Sequence, residues 1–468
     1  MKAGKVLLLI TVLCLGAGLQ TALAVRDRIS IGAAGCRVLG GRFEGPSHAF
    51  EAQAAVDVPP GTRLRVDNAF GAVKVRAGQA GQAQVSLRKV VFLPQEARAR
   101  QLADKLRLSA VLAGDELHVT TNREEFEHGE FEDVGLETHI DIVVPPGTPV
   151  SVANAHGAVE AVDVASASID ASFDAVRLER VAGAADVKSR HGDVSVVGVG
   201  GALSLENRHG DVEVRDAASS VGLNVEHGDV TLLGAGPVEA RLRHSDLKAE
   251  RVGGGLHVRG EHAGVEAGPV SGAADIETSF RDVTLRQVGG GVRVVSKHAD
   301  VEVEDAGAEV VARVESGGVT LARVKGATDI EIEHGGLDAR ALEGGARVSA
   351  GGEAVKLDGF RGAVDVRARH SDVSLVPSGP LADAVLVNVE NGSLTLAVPG
   401  GSRVQVDAEA ERGDIALVDV PGLSATGGDP SRASGVLGGG GASVTLRTRH
   451  ADIRIEGRNA VASDARER

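Results

Sequence analysis

One pattern recurs about every 18 residues along this 468-residue chain: alternating apolar residues, a tight turn that usually carries His, then alternating apolar residues again. The turns read RHGDV at 190–194 and 208–212, EHGDV at 226–230, RHSDL at 243–247, EHAGV at 261–265 and KHADV at 297–301. A fixed period of this length is typical of proteins in which repeated units stack, because one unit cannot bury its apolar face alone. The repeat therefore constrains the architecture more tightly than length or composition does.

The central residue of each turn defines a slot, which we number as position zero of its coil. The slot is occupied in chain order by His156, Phe173, His191, His209, His227, His244, His262, Phe280, His298, Ser316, His334, Gly352 and His370. The interval between slots is constant except at two steps, each shorter by one position. Positions −6, −4 and −2 are mostly apolar, and so are positions +3 and +5, such as Val212 and Val214. Alternation on both sides of a turn indicates two strands per coil.

These observations predict an all-β fold. The expected architecture is a parallel β-solenoid (single-stranded β-helix) of about 18 residues per coil, with one small helix-containing insertion near the N-terminus. Stacked coils bury Val, Leu, Ala and Ile against each other, and they pair each backbone group with the coils above and below. Right-handed winding is the default for parallel connections, but the repeat itself leaves the hand of the solenoid open.

The N-terminal segment 1–24 has the pattern of a secretory signal peptide. Lys2 and Lys5 precede an apolar stretch from Val6 to about Leu19, and Ala22-Leu23-Ala24 offers a cleavage site. The apolar stretch is too short for a transmembrane helix, so we expect cleavage after Ala24 and export. Residues 25–50 are Gly-rich and are predicted to be a poorly ordered lead-in. Cys36 would then be the lone cysteine of the mature chain, which excludes an internal disulfide.

A first β unit, with an insertion, is predicted over residues 51–149. Segments 83–93 and 116–121 have the composition of strands, and QEARARQLADKLR at 95–107 has the pattern of a helix after a proline. Leu102 and Leu106 lie on one face of that helix. The stretch REEFEHGEFED at 123–133 is an acidic loop.

The β-solenoid proper is predicted to span residues 150–456. Beyond His370 the pattern loosens: Asn391 and Arg412 occupy the slot after steps longer than the period, and His450 follows after a step of about two periods. The last step contains a loop at 421–441 that is too Gly-rich to order itself. We expect the apolar strands at 443–455 to need a cap, and residues 457–468 to be a disordered tail.

The repeated His and Asp have two possible roles. Stacked on successive coils about 5 Å apart, they would form a column that could bind metal ions or relay protons. However, Phe occupies the slot at 173 and 280, and Ser316 and Gly352 occupy it elsewhere. A metal ligand cannot be replaced by Phe. The preferred interpretation is that the ring covers a corner of the core and that Asp at position +2 bonds backbone N–H groups of the turn.

Enzymatic activity is the other alternative, because long β-helices can act on polysaccharides. Such a site needs clustered carboxylates or basic groups at a break in the repeat. The acidic loop offers Glu127, His128, Glu130 and Asp133, without a partner on the repeats. A solvated loop explains these residues better. We therefore predict no catalytic, cofactor-binding or metal-ligating residues and no cofactor.

Charge and composition limit the partners. The formal charge is −15, and removal of the two lysines of the leader would make it −17. An acidic chain with no basic tract is a poor candidate for nucleic acid or anionic lipid. No later apolar stretch is long enough to span a bilayer. Trp and Tyr, which sugar-binding surfaces and interface hot spots favour, are absent.

A set of motifs resembles a known bacterial group. VPPGTRLRVDNAFGAVKV at 58–75 has a near copy, VPPGTPVSVANAHGAVEAV, at 144–162, and many turns of the form x-G-D-V-x-V follow. Together with the strand–helix–strand insertion, they resemble the secreted β-strand-repeat proteins named as adhesins, which are related to autotransporter adhesin heads. The resemblance covers roughly residues 50–456. It implies an exported parallel β-solenoid, and the family supplies no established catalytic residues.

The sequence thus predicts a non-enzymatic, exported solenoid that serves as a structural or adhesin-like interaction surface, in the periplasm or at the cell surface. Its partner would be an envelope or surface protein or a glycan. The alternatives are a polysaccharide-active enzyme on the same scaffold and a metal-binding His/Asp ladder.

Overall fold

The computed structural model describes residues 37–39, 42–79, 81–126 and 134–458. Contacts divide the chain after Gly201 into two compact units, called unit 1 and unit 2 here. The predicted signal peptide, Cys36, most of the acidic loop and the tail from residue 459 lie outside the described residues. The described part is almost entirely β-strand, with one α-helix near its start.

Unit 1 contains the first coils and the insertion. Its elements are β1 (Arg37–Leu39), β2 (Arg42–Glu44), β3 (His48–Asp57), β4 (Arg63–Phe70), β5 (Val73–Ala77), β6 (Gln82–Phe92), α1 (Glu96–Lys105), β7 (Leu108–Ala113), β8 (Glu116–Thr121), a 3₁₀ turn (Arg123–Phe126), β9 (Gly135–Val144), β10 (Pro149–His156), β11 (Val159–Val162), β12 (Ser166–Phe173), β13 (Val176–Val181), β14 (Ala185–His191) and β15 (Val194–Val199). The predicted strands at 83–93 and 116–121 correspond to β6 and β8.

The coils of unit 1 stack through two parallel ladders of strands. One ladder runs β4–β10–β12–β14, and the other runs β5–β11–β13–β15. The register places like on like, so that Val152, Ile169 and Val187 lie in one buried column. This arrangement confirms the predicted parallel β-solenoid with two strands per coil.

The insertion between the two VPPGT copies covers the outer edge of the first coil. Strand β8 pairs in parallel with β4 and carries β7 as an antiparallel neighbour, while β9 pairs with β5 and is followed by antiparallel β6 and β3. Antiparallel strands end the parallel stack at this edge, where bare strands would otherwise recruit another chain. Strand β7 was not predicted from the sequence.

Helix α1 lies within the predicted range 95–107 and packs on this cap. Leu102 and Leu106 are buried in a cluster with Val91, Leu93 and Leu136. The Lys89 ammonium donates hydrogen bonds to the carbonyls of Ala103 and Leu106, at 2.7 and 2.6 Å, at the end of the helix where carbonyls lack partners.

Ordered strands also lie in the segment predicted as a poorly ordered lead-in at 25–50. Strands β1 and β2 pair antiparallel there, and β3 begins at His48. The Phe43 ring holds this segment, since its centroid lies 5.3 Å from that of Phe70 and 5.5 Å from that of Phe92. The first β unit therefore begins before residue 51.

Unit 2 is built from coils of the same kind. Its strands are β16 (Leu203–Asn207), β17 (Val212–Ala217), β18 (Val221–Glu226), β19 (Val230–Ala235), β20 (Val238–Arg243), β21 (Leu247–Val252), β22 (Leu256–Glu261), β23 (Val265–Ala267), β24 (Ala274–Thr278), β25 (Val283–Val288), β26 (Val292–His298), β27 (Val301–Ala306), β28 (Val310–Ser316), β29 (Val319–Val324), β30 (Thr328–Leu342), β31 (Ala346–Phe360), β32 (Val364–Arg369), β33 (Val373–Pro377), β34 (Val385–Val389), β35 (Leu394–Pro399), β36 (Val404–Ala410), β37 (Ile415–Val418), β38 (Leu423–Ala425), β39 (Arg432–Val436), β40 (Ala442–Thr448) and β41 (Ile453–Arg458), with a 3₁₀ turn at Thr426–Gly428.

The core of unit 2 consists of the alternating apolar positions of each coil. Strand β18 buries Val221, Leu223 and Val225, and β19 buries Val230 and Leu232. Full burial of such a side chain stabilises a protein by about 1.5–3 kcal/mol. The same positions recur in register from coil to coil, so the core is continuous along the stack of unit 2.

The last strands of the chain lie inside the stack of unit 2, not at its end. Strand β40 pairs with β34 on one side and β36 on the other, and β41 lies in the same way between β35 and β37. The expectation that the strands at 443–455 need a cap was therefore wrong. In space the slots follow the order His370, Asn391, His450, Arg412. The long step from Arg412 to His450 arises because the chain folds back and inserts β40 between β34 and β36.

The Gly-rich loop predicted at 421–441 provides the cap instead. It contains β38, a 3₁₀ turn and β39, and β39 pairs antiparallel with both β36 and β38. Pairing to the free edge of β36 orders this segment despite its glycines, because that edge offers unpaired backbone groups. The outer strand β36 is thereby covered by an antiparallel hairpin.

Candidate functional site

In unit 1 the slot residues form a continuous stack of aromatic rings. The ring centroids are 4.0 Å apart between Phe70 and His156, 4.5 Å between His156 and Phe173, and 5.1 Å between Phe173 and His191. The ring planes of these pairs are within 14° of parallel. The Arg123 guanidinium lies 4.3 Å from the centroid of Phe70, which is a cation–π contact at the start of the stack.

A second ring stack runs along unit 2. It comprises His209, His227, His244, His262, Phe280 and His298, with successive centroids 4.6–5.2 Å apart. These spacings match the separation of neighbouring strands, so each ring lies over the ring of the next coil. Phe and His are interchangeable in the slot because both present a flat face to their neighbours.

The rings lie on the outside of the turn, which corrects the prediction that they cover a corner of the core. Phe173 is 42 % exposed and Phe280 is 53 % exposed. Each ring instead shields the faces of the rings above and below it. The turn is a surface feature that repeats in register, and its edge faces solvent.

The Asp at position +2 bonds backbone N–H groups, as predicted, but those of the adjacent coil. The Asp211 carboxylate accepts from the amide of Asp229 at 2.9 Å, and Asp229 accepts from the amide of Asp246 at 3.1 Å. In a later coil, hydrogen bonds from the Ser393 hydroxyl and amide hold the pKa of the Asp372 carboxyl below its ordinary value. The Asp column therefore joins coils to each other.

Buried polar residues at position −2 form the inner side of the turns, and the sequence analysis missed them. The Asn154 amide donates to the carbonyls of Gly157 at 2.7 Å and Gly71 at 3.1 Å, and Asn207 donates to Gly210 at 2.8 Å. These buried side-chain amides supply hydrogen bonds to backbone carbonyls that water cannot reach. The signal in the sequence was a polar residue in an otherwise apolar column.

Charged side chains on the solvent-facing side of the coils pair with charged side chains of neighbouring coils. At position −1, Arg243 lies 3.1 Å from a carboxylate oxygen of Glu226 and 3.5 Å from one of Glu261, so charges of opposite sign lie on neighbouring coils. A second column lies at position +7. There the Arg180 guanidinium donates to both oxygens of Asp163, at 2.6 and 2.9 Å, and these hydrogen bonds lower the pKa of the Asp163 carboxyl.

The ring and Asp columns of unit 2 are interrupted at three successive turns. Ser316 and Gly352 replace the ring on either side of His334, and Gly318 and Gly336 replace the Asp at position +2. A cavity of about 670 Å³ opens there, and we call it the turn-side opening. Its lining includes the acidic residues Asp282, Asp300, Glu302 and Glu353, together with Gly317, Gly318, Gly335 and His334. Among the described residues, no Lys or Arg lines it.

A second cavity, of about 1000 Å³, lies on the outer face of the neighbouring strands; we call it the strand-side opening. Its floor is formed by Ser349, Ala350 and Gly351 of β31. Charged residues surround that floor: Glu331, Glu333, Arg367, Arg369, Glu390, Glu409, Glu411, Arg447 and Arg449. Arg449 is held by Glu390 at 2.5 Å and Glu411 at 3.6 Å. His334 lines both openings.

The geometry of the ring stacks argues against a metal ladder. The planes of His209 and His227 are 4° apart, and those of His244 and His262 are 10° apart. Parallel rings direct their nitrogen lone pairs along parallel lines, whereas a metal ion needs lone pairs that converge on it. In the part of the chain that the structure describes, no three His, Cys, Asp or Glu residues are grouped to hold a metal.

The acidic-loop residues Glu127, His128, Glu130 and Asp133 lie outside the described residues, so their predicted role as a solvated loop remains a prediction. The candidate binding feature that the sequence analysis did not identify is the pair of openings at His334. The sequence contained a signal for it, because non-aromatic residues occupy the slot at Ser316 and Gly352, on either side of His334.

Comparison with known proteins finds similarity among solved structures. No family model matches the chain, and no curated protein matches it. Among solved structures, it is similar to one described as a "putative cell adhesion protein" from Clostridium sporogenes ATCC 15579. The sequences are 9 % identical, the match covers 88 % of this chain and 100 % of that chain, and the TM-score is 0.18. Within the described residues, no helix is long and apolar enough to cross a membrane.

The half-buried position of His156 predicts a pH dependence of unit 1. Partial burial between two Phe rings, with a smaller effect of the Arg123 charge, lowers the pKa of His156, and Asp174 partly offsets this. The unfolded chain therefore binds the proton more readily than the folded chain. Stability from this group is present above about pH 6.5 and is lost as the pH falls from there towards the lower folded pKa.

The variant His156→Phe removes this titration while keeping the stack, because Phe occupies the slot in neighbouring coils. We expect its free energy of unfolding to fall less than that of the wild type between pH 7.5 and 5, as measured by denaturant titration. All other residues are the same in the two proteins, so their contributions cancel in the difference. An identical pH profile for the two proteins would contradict the burial argument.

Proposed function

We propose that the chain is an exported, non-enzymatic β-solenoid that provides a structural or adhesin-like interaction surface. The partner we propose is an envelope or surface protein or a glycan, met in the periplasm or at the cell surface. We also propose that the chain belongs to the secreted β-strand-repeat group that its VPPGT motifs and turns resemble.

The observation that carries this proposal is the regular outer surface, on which most functional groups bind neighbouring coils. Arg180 pairs with Asp163, Arg323 with Asp305, and the Asp column bonds the next backbone. Groups held in this way maintain the register of the stack and are not poised for catalysis. Among the described turns, the ring and Asp columns are interrupted at Ser316, Gly318, Gly336 and Gly352, around the two openings that His334 lines.

The capped edges support the same proposal. Antiparallel strands cover the outer edge of the first coil, and the β38–β39 hairpin covers β36. Natural sheets protect edges in this way against unwanted pairing with other chains. A protein that offers its lateral surface to partners benefits from ends that do not polymerise.

Export is tested by fractionation of a bacterium that expresses the full-length chain with a C-terminal tag. We expect the tag outside the cytoplasm and a mature N-terminus at Val25. The matched control carries Leu8→Arg and Leu13→Arg, which should keep the chain in the cytoplasm because the apolar stretch of the leader is broken. Cytoplasmic retention of the wild type would refute the proposed location.

The absence of catalysis is tested on the purified mature chain with a panel of bacterial and plant polysaccharides. We expect no release of reducing ends above that of heat-denatured protein, together with saturable binding of the labelled chain to bacterial envelopes. Depolymerisation of any polysaccharide would favour the enzyme alternative. Failure to bind envelopes or glycans would refute the interaction surface.

A further inference from the structure

The ring stack of unit 2 has a gap of one ring at Ser316. Its register partners on the two neighbouring coils are His298 and His334. Rings that follow each other in this stack lie 4.6–5.2 Å apart. Two strand spacings therefore separate the planes of His298 and His334, which is about 10 Å. A ring placed midway would lie at the same spacing from both as the resident rings lie from each other.

The gap leaves ring faces available that are covered elsewhere in the stack. Phe280 covers one face of His298, and Ser316 has no ring to cover the other. His334 has Ser316 on one side and Gly352 on the other. Exposed flat faces at this separation suit an aromatic ring from another molecule, since stacked aromatic pairs prefer centroid distances of about 4.5–7 Å.

The two gaps beside His334 are not equivalent. Strands β26, β28 and β30 are in continuous register through Ser316, so His298, Ser316 and His334 occupy consecutive positions of one column. Between β30 and β31 the register shifts between Ile332 and Gly335, so the gap at Gly352 does not continue the column of rings. We therefore place the site at Ser316.

The charge around the gap selects the kind of ring. Asp282, Asp300, Glu302 and Glu353 line the turn-side opening, and no described Lys or Arg does. The Asp300 carboxylate uses one oxygen to accept from the amide of Gly318, at 2.8 Å. The cavity is thus electronegative on a chain whose formal charge is −15, and it attracts cations.

We propose that the gap at Ser316 and the turn-side opening beside it, which His334 and Gly317 line, together bind an aromatic side chain flanked by Lys or Arg on a partner polypeptide. The ring enters the gap at Ser316 between His298 and His334, and the flanking cations pair with Glu302 and Glu353. This site deepens the proposed interaction function and rests on it, because it names the class of partner that the surface recognises.

The chain offers a clean measurement, because it has no Trp and no Tyr. The probe is the blocked peptide acetyl-Gly-Lys-Trp-Lys-Gly-amide, whose fluorescence is followed as the mature chain is added. We expect saturable binding with a dissociation constant on the order of 1 mM, because one stacked ring and two exposed ion pairs supply modest affinity. Raising NaCl from about 50 mM to 0.5 M should weaken binding severalfold.

Two variants at one position separate the gap from the rest of the surface. Ser316→Phe fills the gap with a residue that the slot accepts at Phe173, which also ends its strand in an extended conformation. We expect it to keep the circular dichroism and melting temperature and to weaken peptide binding at least about tenfold. Ser316→Ala leaves the gap open and should bind like the wild type. The double variant E302Q/E353Q should bind severalfold more weakly and lose most of the salt dependence.

The site would be refuted if the peptide still bound to Ser316→Phe, or if no saturable signal appeared up to about 5 mM protein. It would also be refuted if a Glu-Trp-Glu peptide bound as tightly as the Lys-Trp-Lys peptide, or if a Lys-Leu-Lys peptide competed for the site with the same affinity as the Lys-Trp-Lys peptide. If Ca²⁺ displaces the peptide from the wild type and Ser316→Phe does not change peptide binding, the opening is a cation site only and the ring site is refuted. If the chain is exported and binds envelopes while the peptide does not bind, the site fails and the proposed function stands.

Discussion

A chain that ends at Gly441 is expected to lose the folded C-terminal part of unit 2. The deletion removes β40 and β41, which lie between the coil of β34–β35 and the coil of β36–β37. Val444, Leu446, Ile453 and Ile455 are fully buried, and each contributes about 1.5–3 kcal/mol. Their loss also leaves β36 with only the hairpin strand β39 as a partner. We expect a loss of stability well above that of any single substitution.

Hydrogen exchange distinguishes this internal position from a terminal one. If β40 and β41 were the last coil, their removal would leave the amides of Val404–Ala410 protected. With the observed pairing, those amides should exchange as in an unfolded chain, and limited proteolysis should cut between β35 and β39. The matched control is a chain that ends at Arg458, which keeps β41 and should keep the wild-type melting temperature. Protection of β36 in the chain that ends at Gly441 would contradict the pairing.

The order of the last coils could not be obtained from the repeat. Alternation of apolar residues fixes which face of a strand is buried, but every coil of a solenoid buries the same face. Segment 442–458 therefore fits beside the coil of β34–β35 as well as beside that of β36–β37. Only the long loop before it allows the chain to fold back, and the sequence was interpreted as a linear stack.

The coil itself was predictable, for a physical reason. In-register parallel pairing places Val230 against Leu247 and Val212 against Val230, so the same chemical pattern must recur at each coil. The length of the period and the two strands per coil follow directly. The helix was predictable from Leu102 and Leu106, whereas β7 was missed because half-exposed edge strands have weak alternation.

The candidate site was predicted only in part. Phe in the slot suggested burial at a corner, because Phe is an interior residue in most proteins. The structure shows that stacking against the ring of the neighbouring coil can serve instead, as between His156 and Phe173. Because the slot residues form a ring stack, Ser316 and Gly352 each interrupt that stack where they replace a ring. They leave ring faces open beside His334, which could not be seen before the stack was known.

The close approach of successive turns predicts a second large effect, at Gly392. Its φ is +151°, and an added Cβ would lie 2.1 Å from the carbonyl oxygen of Ser371 in the preceding coil. The turn cannot move away, because the strands on both sides are paired: Ala368 with Val389, and Val373 with Leu394. We expect Gly392→Ala to reduce the free energy of unfolding by about 3 kcal/mol or more.

Gly222 supplies the matched control within unit 2. It lies in strand β18, and an added Cβ there would meet nothing closer than the Leu203 carbonyl oxygen at 3.8 Å. Gly222→Ala should change the stability by less than about 1 kcal/mol, and in the stabilising direction, because Ala restricts the unfolded chain. Denaturant unfolding of both variants gives the comparison. Equal stability of Gly392→Ala and Gly222→Ala would mean that the coils can separate at their turns, and that backbone contact does not set their spacing.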